Sequence, residues 1–78
     1  MLDLKQILTD IAKAIVDEPD AVLVVSEDDG DGVVLTLSVA SPDMGKVIGR
    51  GGRIAKAIRT VMKAAANSDG KKVIVEIR

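Results

Sequence analysis

Seventy-eight residues are near the lower limit for a core without staples, so the chain reads as one domain over residues 1–78. It contains no cysteine, histidine or aromatic residue. That excludes disulfides, thiolate metal sites and aromatic base-stacking platforms, and it leaves an enzyme without an obvious nucleophile–base pair. The net charge of −1 hides a division: residues 1–45 carry ten acids and two bases, and residues 46–78 carry nine bases and two acids. No acid lies between Gly45 and Ser68, where Lys46, Arg50, Arg53, Lys56, Arg59 and Lys63 fall. Such segregation points to a polyanionic partner on one side of the molecule.

Asp3, Lys5 and Gln6 interrupt any apolar signal-peptide core. No apolar run approaches the ~20 residues that span a bilayer. The expectation is a soluble cytoplasmic protein without a membrane partner.

In chain order, Leu4, Ile7, Leu8, Ile11 and Ile15 share one face of a helix over residues 4–16. Asp3 followed by Gln6 has the spacing of a capping box, and Glu18-Pro19-Asp20 ends the helix. Ala21–Glu27 predicts a strand. Asp28-Asp29-Gly30-Asp31-Gly32 predicts a hairpin turn, with both glycines at positive φ. Its acids lack calcium-loop spacing, so no metal is expected there. Val33–Ala40 alternates as a second strand with Val33, Leu35, Leu37 and Val39 on one face. Ser41 suits the N-cap of a short second helix reaching about Ile48, with Pro42 at its first position and Asp43 favouring its positive end. A third helix over Arg53–Ala66 places Ile54, Ile58, Val61, Met62 and Ala65 on one face. Asn67–Gly70 ends it, and Lys72–Ile77 alternates as the last strand. The order α-β-β-α-α-β predicts an α+β fold: a three-stranded mixed sheet, strands two and three parallel, with three helices on one face.

Between the second and third helices lies Val47-Ile48-Gly49-Arg50-Gly51-Gly52-Arg53-Ile54. Glycines at 49, 51 and 52 permit positive φ and close approach of another chain. Arg50 and Arg53 flank that bare backbone, and a helix starting after Gly52 aims unpaired N–H groups at the same spot. The Walker A pattern fails, since counting from Gly45 its sixth and seventh positions are Arg50 and Gly51. The dinucleotide fingerprint fails because these glycines follow a helix. A helix-turn-helix reading is weakened by the short helix before the turn.

Val47-Ile48-Gly49-Arg50-Gly51-Gly52 resembles the V-I-G-x-x-G signature of KH domains, and the element order resembles their type II arrangement. Asp43-Met44-Gly45-Lys46 before it and Arg53-Ile54-Ala55-Lys56-Ala57-Ile58-Arg59 after it are similar to the KhpA family of small bacterial single-KH proteins. The one departure is Ala55, where many KH domains carry Ile, Leu or Val. The resemblance implies a clamp for about four single-stranded nucleotides. Gly49, Arg50, Gly51 and Gly52 would meet the backbone, with Lys46, Arg53 and Lys56 as cations and Ile48 and Ile54 as groove floor. For both isoleucines, ordinary core is the equal alternative.

The resemblance further implies single-stranded RNA as ligand (single-stranded DNA being a second candidate), no cofactor, and an RNA chaperone or post-transcriptional regulator. It also implies a homodimer or a complex with a larger KhpB-type protein, and links to cell-division and cell-elongation control. The competing reading is a dimerising scaffold with a vestigial cleft, for which Val34 and Ile74 are candidate contacts.

Overall fold

The computed structural model describes residues 3–78. Helix α1 covers Leu4–Ile15, with Leu4, Leu8 and Ala12 buried. Asp3 caps it by accepting the Gln6 N–H at 3.0 Å. The reciprocal half of the capping box is not made, because the Gln6 amide donates forward to Asp10 at 2.8 Å. A 3-10 turn at Pro19–Ala21 redirects the chain into β1, Leu23–Asp28. Ala21 therefore belongs to the turn and not to the strand expected to begin there.

Strand β2, Gly32–Ser38, returns antiparallel to β1, and β3, Lys72–Ile77, pairs parallel to β2. The order β1-β2-β3 leaves β1 and β3 as edges. In the hairpin turn the acids serve the backbone: Asp28 accepts from Gly30 N–H at 3.3 Å and Asp29 from Gly32 N–H at 3.0 Å. Gly30 has φ 95°, as expected, but Gly32 does not need positive φ. A Cβ at Gly32 would run into the Lys72 main chain, so that glycine is required by the close approach of β2 to β3.

Helix α2 is only Met44–Ile48, preceded by a 3-10 turn at Ser41–Asp43. Ser41 makes no capping bond, contrary to expectation, and the aspartate two residues on is drawn inward instead. Helix α3 covers Arg53–Ser68. The core joins Leu4, Leu8 and Ala12 of α1 to Ile58, Met62 and Ala66 of α3, over Val24, Leu35, Leu37 and Val75 of the sheet. On the other face of the sheet Leu23, Val25 and Ile74 stay exposed, so the helices occupy one side.

The buried face of α3 is Ala55, Ile58, Met62 and Ala66. Ile54 and Val61, expected on it, lie outside the core at 39% and 51% exposure. The small residues Ala55 and Ala66 occupy the crowded side, and the two bulkier side chains are displaced to its flank. Among the described residues no helix is long and apolar enough to cross a membrane.

Candidate nucleic-acid interface

Helix α2 stops at Gly49, whose N–H still bonds the Gly45 carbonyl at 2.8 Å while its φ and ψ are 76° and 172°. This conformation is essentially restricted to glycine. A side chain at Gly49 would also strike Ile54, including its main-chain nitrogen. A 3-10 turn over Arg50–Gly52 follows, closed by Gly52 N–H to Gly49 carbonyl at 3.1 Å. Gly51 and Gly52 have φ 64° and 78°, with nothing within 4 Å of where a Cβ would stand. The outer surface of the turn is thus bare backbone facing open space. Helix α3 starts directly from it with no side chain capping its first turn, which leaves donors suited to an anion.

Arg50, Arg53, Lys56, Arg59 and Lys63 are all exposed, and among the described residues none forms a salt bridge. Ile48 and Ile54 flank the turn at 39% exposure each, partly open and outside the core cluster. Of the residues expected at the site, Ile48 to Ile54 are brought together at the turn, and Lys56 lies one turn along α3.

Lys46 is placed differently. Its ammonium is engaged by Asp17 and by Asp43, the latter at 3.6 Å, and the hydrogen bond to Asp17 raises its pKa despite desolvation. Asp43 is 1% exposed. Its carboxylate accepts the backbone N–H groups of Asp17 at 3.2 Å and Glu18 at 3.0 Å, tying the end of α1 to the start of α2. Burial alone would raise its pKa, but those two N–H groups and Lys46 outweigh it and hold the group below its ordinary value. From sequence, Asp43 is expected to favour the positive end of the helix dipole. It instead braces the segment that leads into the turn.

A groove lies between α3 and β3, beginning at Lys56, one turn beyond the glycines, and lined on by Arg59, Thr60, Lys63, Ile74 and Val75. A second depression sharing Lys63 and Ile74 with it reaches Asn67, Lys71 and Lys72 and borders Asp29 and Asp31 of the hairpin turn. Its wall is the unpaired edge of β3. Arg78 N–H points the other way, to the Leu37 carbonyl of β2 at 2.8 Å. By strand alternation, Val73, Val75 and Ile77 turn their backbone groups outward. The Val75 carbonyl accepts Arg59 Nε–H at 3.2 Å. Sequence reasoning counted Arg59 and Lys63 only as general positive charge; their helical spacing from Lys56 was the signal that could have placed them in the groove.

The α-β-β-α-α-β order, the mixed sheet and the glycine turn between α2 and α3 together define a KH domain of the type II arrangement. Residues 5–77 match the family described as KhpA/KhpB, KH domain, and the chain belongs to that family. It is 57% identical over 74 residues to a Clostridium acetobutylicum protein named RNA-binding protein KhpA, covering 95% of this chain and 99% of that one. A protein of the same name from Caldanaerobacter subterraneus is 54% identical over 72 residues, covering 92% and 96%. Among solved structures, Era in complex with MgGDPNP and nucleotides 1506–1542 of 16S ribosomal RNA superposes with a TM-score of 0.67 at 19% identity. That match covers 95% of this chain but 28% of Era, so it bears on the fold alone.

Proposed function

We propose that this protein binds single-stranded RNA, holding about four nucleotides between the Gly49–Gly52 turn and the α3–β3 groove. The observation that carries the reading is the bare outer surface over Gly51 and Gly52, flanked by arginines without acidic partners at the head of an uncapped helix. Open backbone admits a phosphate chain closely, and the cations stabilise it there. The relatives named RNA-binding protein KhpA support the same reading. With no aromatic side chain, stacking is absent, so affinity rests on charge, apolar contact and hydrogen bonds. Lys46 enters the site only by exchanging Asp17 and Asp43 for a phosphate, which makes it a lesser contributor than Arg50 and Arg53. Nothing in the fold or the family favours an enzyme.

The test is fluorescence anisotropy with a short single-stranded RNA, comparing wild type with Arg50→Asp/Gly51→Asp, and circular dichroism confirming that both are folded. Loss of binding in the folded variant is expected. Three or four neutralised phosphates give a log–log salt slope of about −2 to −3, from ~0.7 per contact. A slope near zero, or unchanged binding by the variant, overturns the reading. The same assay with single-stranded DNA decides between the two nucleic acids.

The family resemblance supports extending this reading to an RNA chaperone or post-transcriptional regulator in the cytoplasm. The implied link to cell division and elongation is checked by the cell dimensions of a strain lacking the protein. Self-association is a second property, favoured by exposed Leu23, Val25 and Ile74 on the uncovered sheet face. It would raise weak single-site affinity through effective concentration, as would a complex with a KhpB-type protein. Sedimentation at increasing concentration, with Val25→Lys as the control, tests it.

A further inference from the structure

Arg59 differs from the other cations around the groove. Among the described residues the ammonium groups of Lys56 and Lys63 form no salt bridge, whereas the Arg59 guanidinium is tied to the sheet. Its Nε–H bonds the outward-facing Val75 carbonyl at 3.2 Å. A guanidinium is planar, so tying its Nε–H to the strand holds the group at the β3 edge and restricts where its four terminal N–H donors can lie. No carboxylate pairs with Arg59 among the described residues, and its side chain lines the groove with Thr60 and Val75. An oriented, unpaired, donor-only fork beside a strand edge is equipped to read a flat polar partner. A group whose task is charge alone needs no such orientation.

We propose that Arg59 is the base-reading residue of the groove, selecting a nucleotide whose exposed edge offers two adjacent acceptors. This inference rests on the RNA-binding reading above. Cytosine supplies such an edge in O2 and N3, and guanine in O6 and N7. Adenine sets a donor amino group beside N1 and beside N7, and uracil places N3–H between its two carbonyls. A pure donor fork leaves those donors facing donors, an unfavourable juxtaposition. The anchoring bond gives the strand a part in this recognition: β3 holds the reader in place through Val75, so specificity comes from α3 and β3 together. The alternative role is a phosphate contact, which would weaken all sequences alike when removed.

The experiment measures binding of short RNAs containing only A, only C or only U, and an alternating G/U RNA, by wild type, Arg59→Lys and Arg59→Ala. Thermal melts confirm that each variant is folded. Wild type is expected to prefer the C or the G/U RNA about tenfold over the A RNA, the discrimination given by one good pair of hydrogen bonds. The C and G/U arms decide which base is read. Arg59→Lys keeps the charge but loses the fork, so it should lose the preference while retaining most of the affinity for the A RNA. Arg59→Ala should lose the preference as well. A preference that survives in Arg59→Lys, or an equal loss for every RNA in both variants, overturns the proposal. Wild-type binding to all four RNAs with equal affinity overturns it while leaving RNA binding intact. Absence of binding to any RNA overturns both readings.

Discussion

Three glycine-to-alanine substitutions within seven residues should differ in sign as well as size. Gly45 lies in α2 with open space where a Cβ would stand, so alanine there should stabilise by roughly 0.5–1 kcal/mol through helix propensity and reduced unfolded-chain freedom. Gly51 has φ 64° and ψ 19° and is unobstructed; alanine there costs about 1–2 kcal/mol, the ordinary penalty of the left-handed region. Gly49 combines φ 76° and ψ 172° with a collision against Ile54 that involves main chain as well as side chain. The conformation alone costs about 1–3 kcal/mol, and moving the first turn of α3 adds to it, for a total of roughly 2–4 kcal/mol. At about 4–8 °C per kcal/mol for a domain of this size, Gly49→Ala should lower Tm by some 10–30 °C. Gly51→Ala should lower it by about 4–16 °C. Melts followed by circular dichroism measure all three. If Gly49→Ala melts no lower than Gly51→Ala, or Gly45→Ala melts below wild type, the geometric account of the turn is wrong. RNA titration adds a second axis: Gly51→Ala places a methyl group on the open face and should weaken binding although the protein remains folded.

Met62 is fully buried and Val61, beside it in sequence, is half exposed. Met62→Ala should therefore destabilise by about 2–5 kcal/mol in urea melts, whereas Val61→Ala should stay within about 0.5 kcal/mol; similar losses would restore the helix face inferred from periodicity. For Asp43 the folded-state pKa is depressed, so its contribution to stability is fully present above the ordinary aspartate value of about 3.9 and is lost as pH falls through the lower folded value. The difference in Tm between wild type and Asp43→Asn should narrow from about pH 7 to about pH 3, and a gap that stays constant would show that the charge is not what matters.

Elements with one dominant local signal were legible from sequence. The alternation of β3 marked Lys72–Ile77 without error, and the glycines at 49, 51 and 52 announced a turn of positive φ. Where the outcome depended on a neighbour far along the chain, the sequence was silent. Asp43 reads locally as a helix-start residue, but its role is set by backbone N–H groups 25 and 26 residues away. Gly32 reads as a turn glycine, while the constraint on it comes from Lys72 across the sheet. The face of α3 was misjudged because bulk was weighed above position, and a crowded helix contact selects alanine. Arg59 stayed anonymous among the cations until the Val75 carbonyl distinguished it.

The two ends of helix α3 differ in charge. The glycine turn and its arginines stand at the first, and at the second Asp29 and Asp31 of the hairpin are interspersed with Lys63, Lys71 and Lys72. Arg53 to Lys63 spans about 15 Å of helix. On the proposed RNA-binding reading, the mixed-sign end would hold a polyanion less firmly than the purely basic stretch before it. A longer RNA would then leave the surface there or continue onto another molecule. The number of nucleotides covered would depend on where the β1–β2 turn stands, far in sequence from the glycine turn.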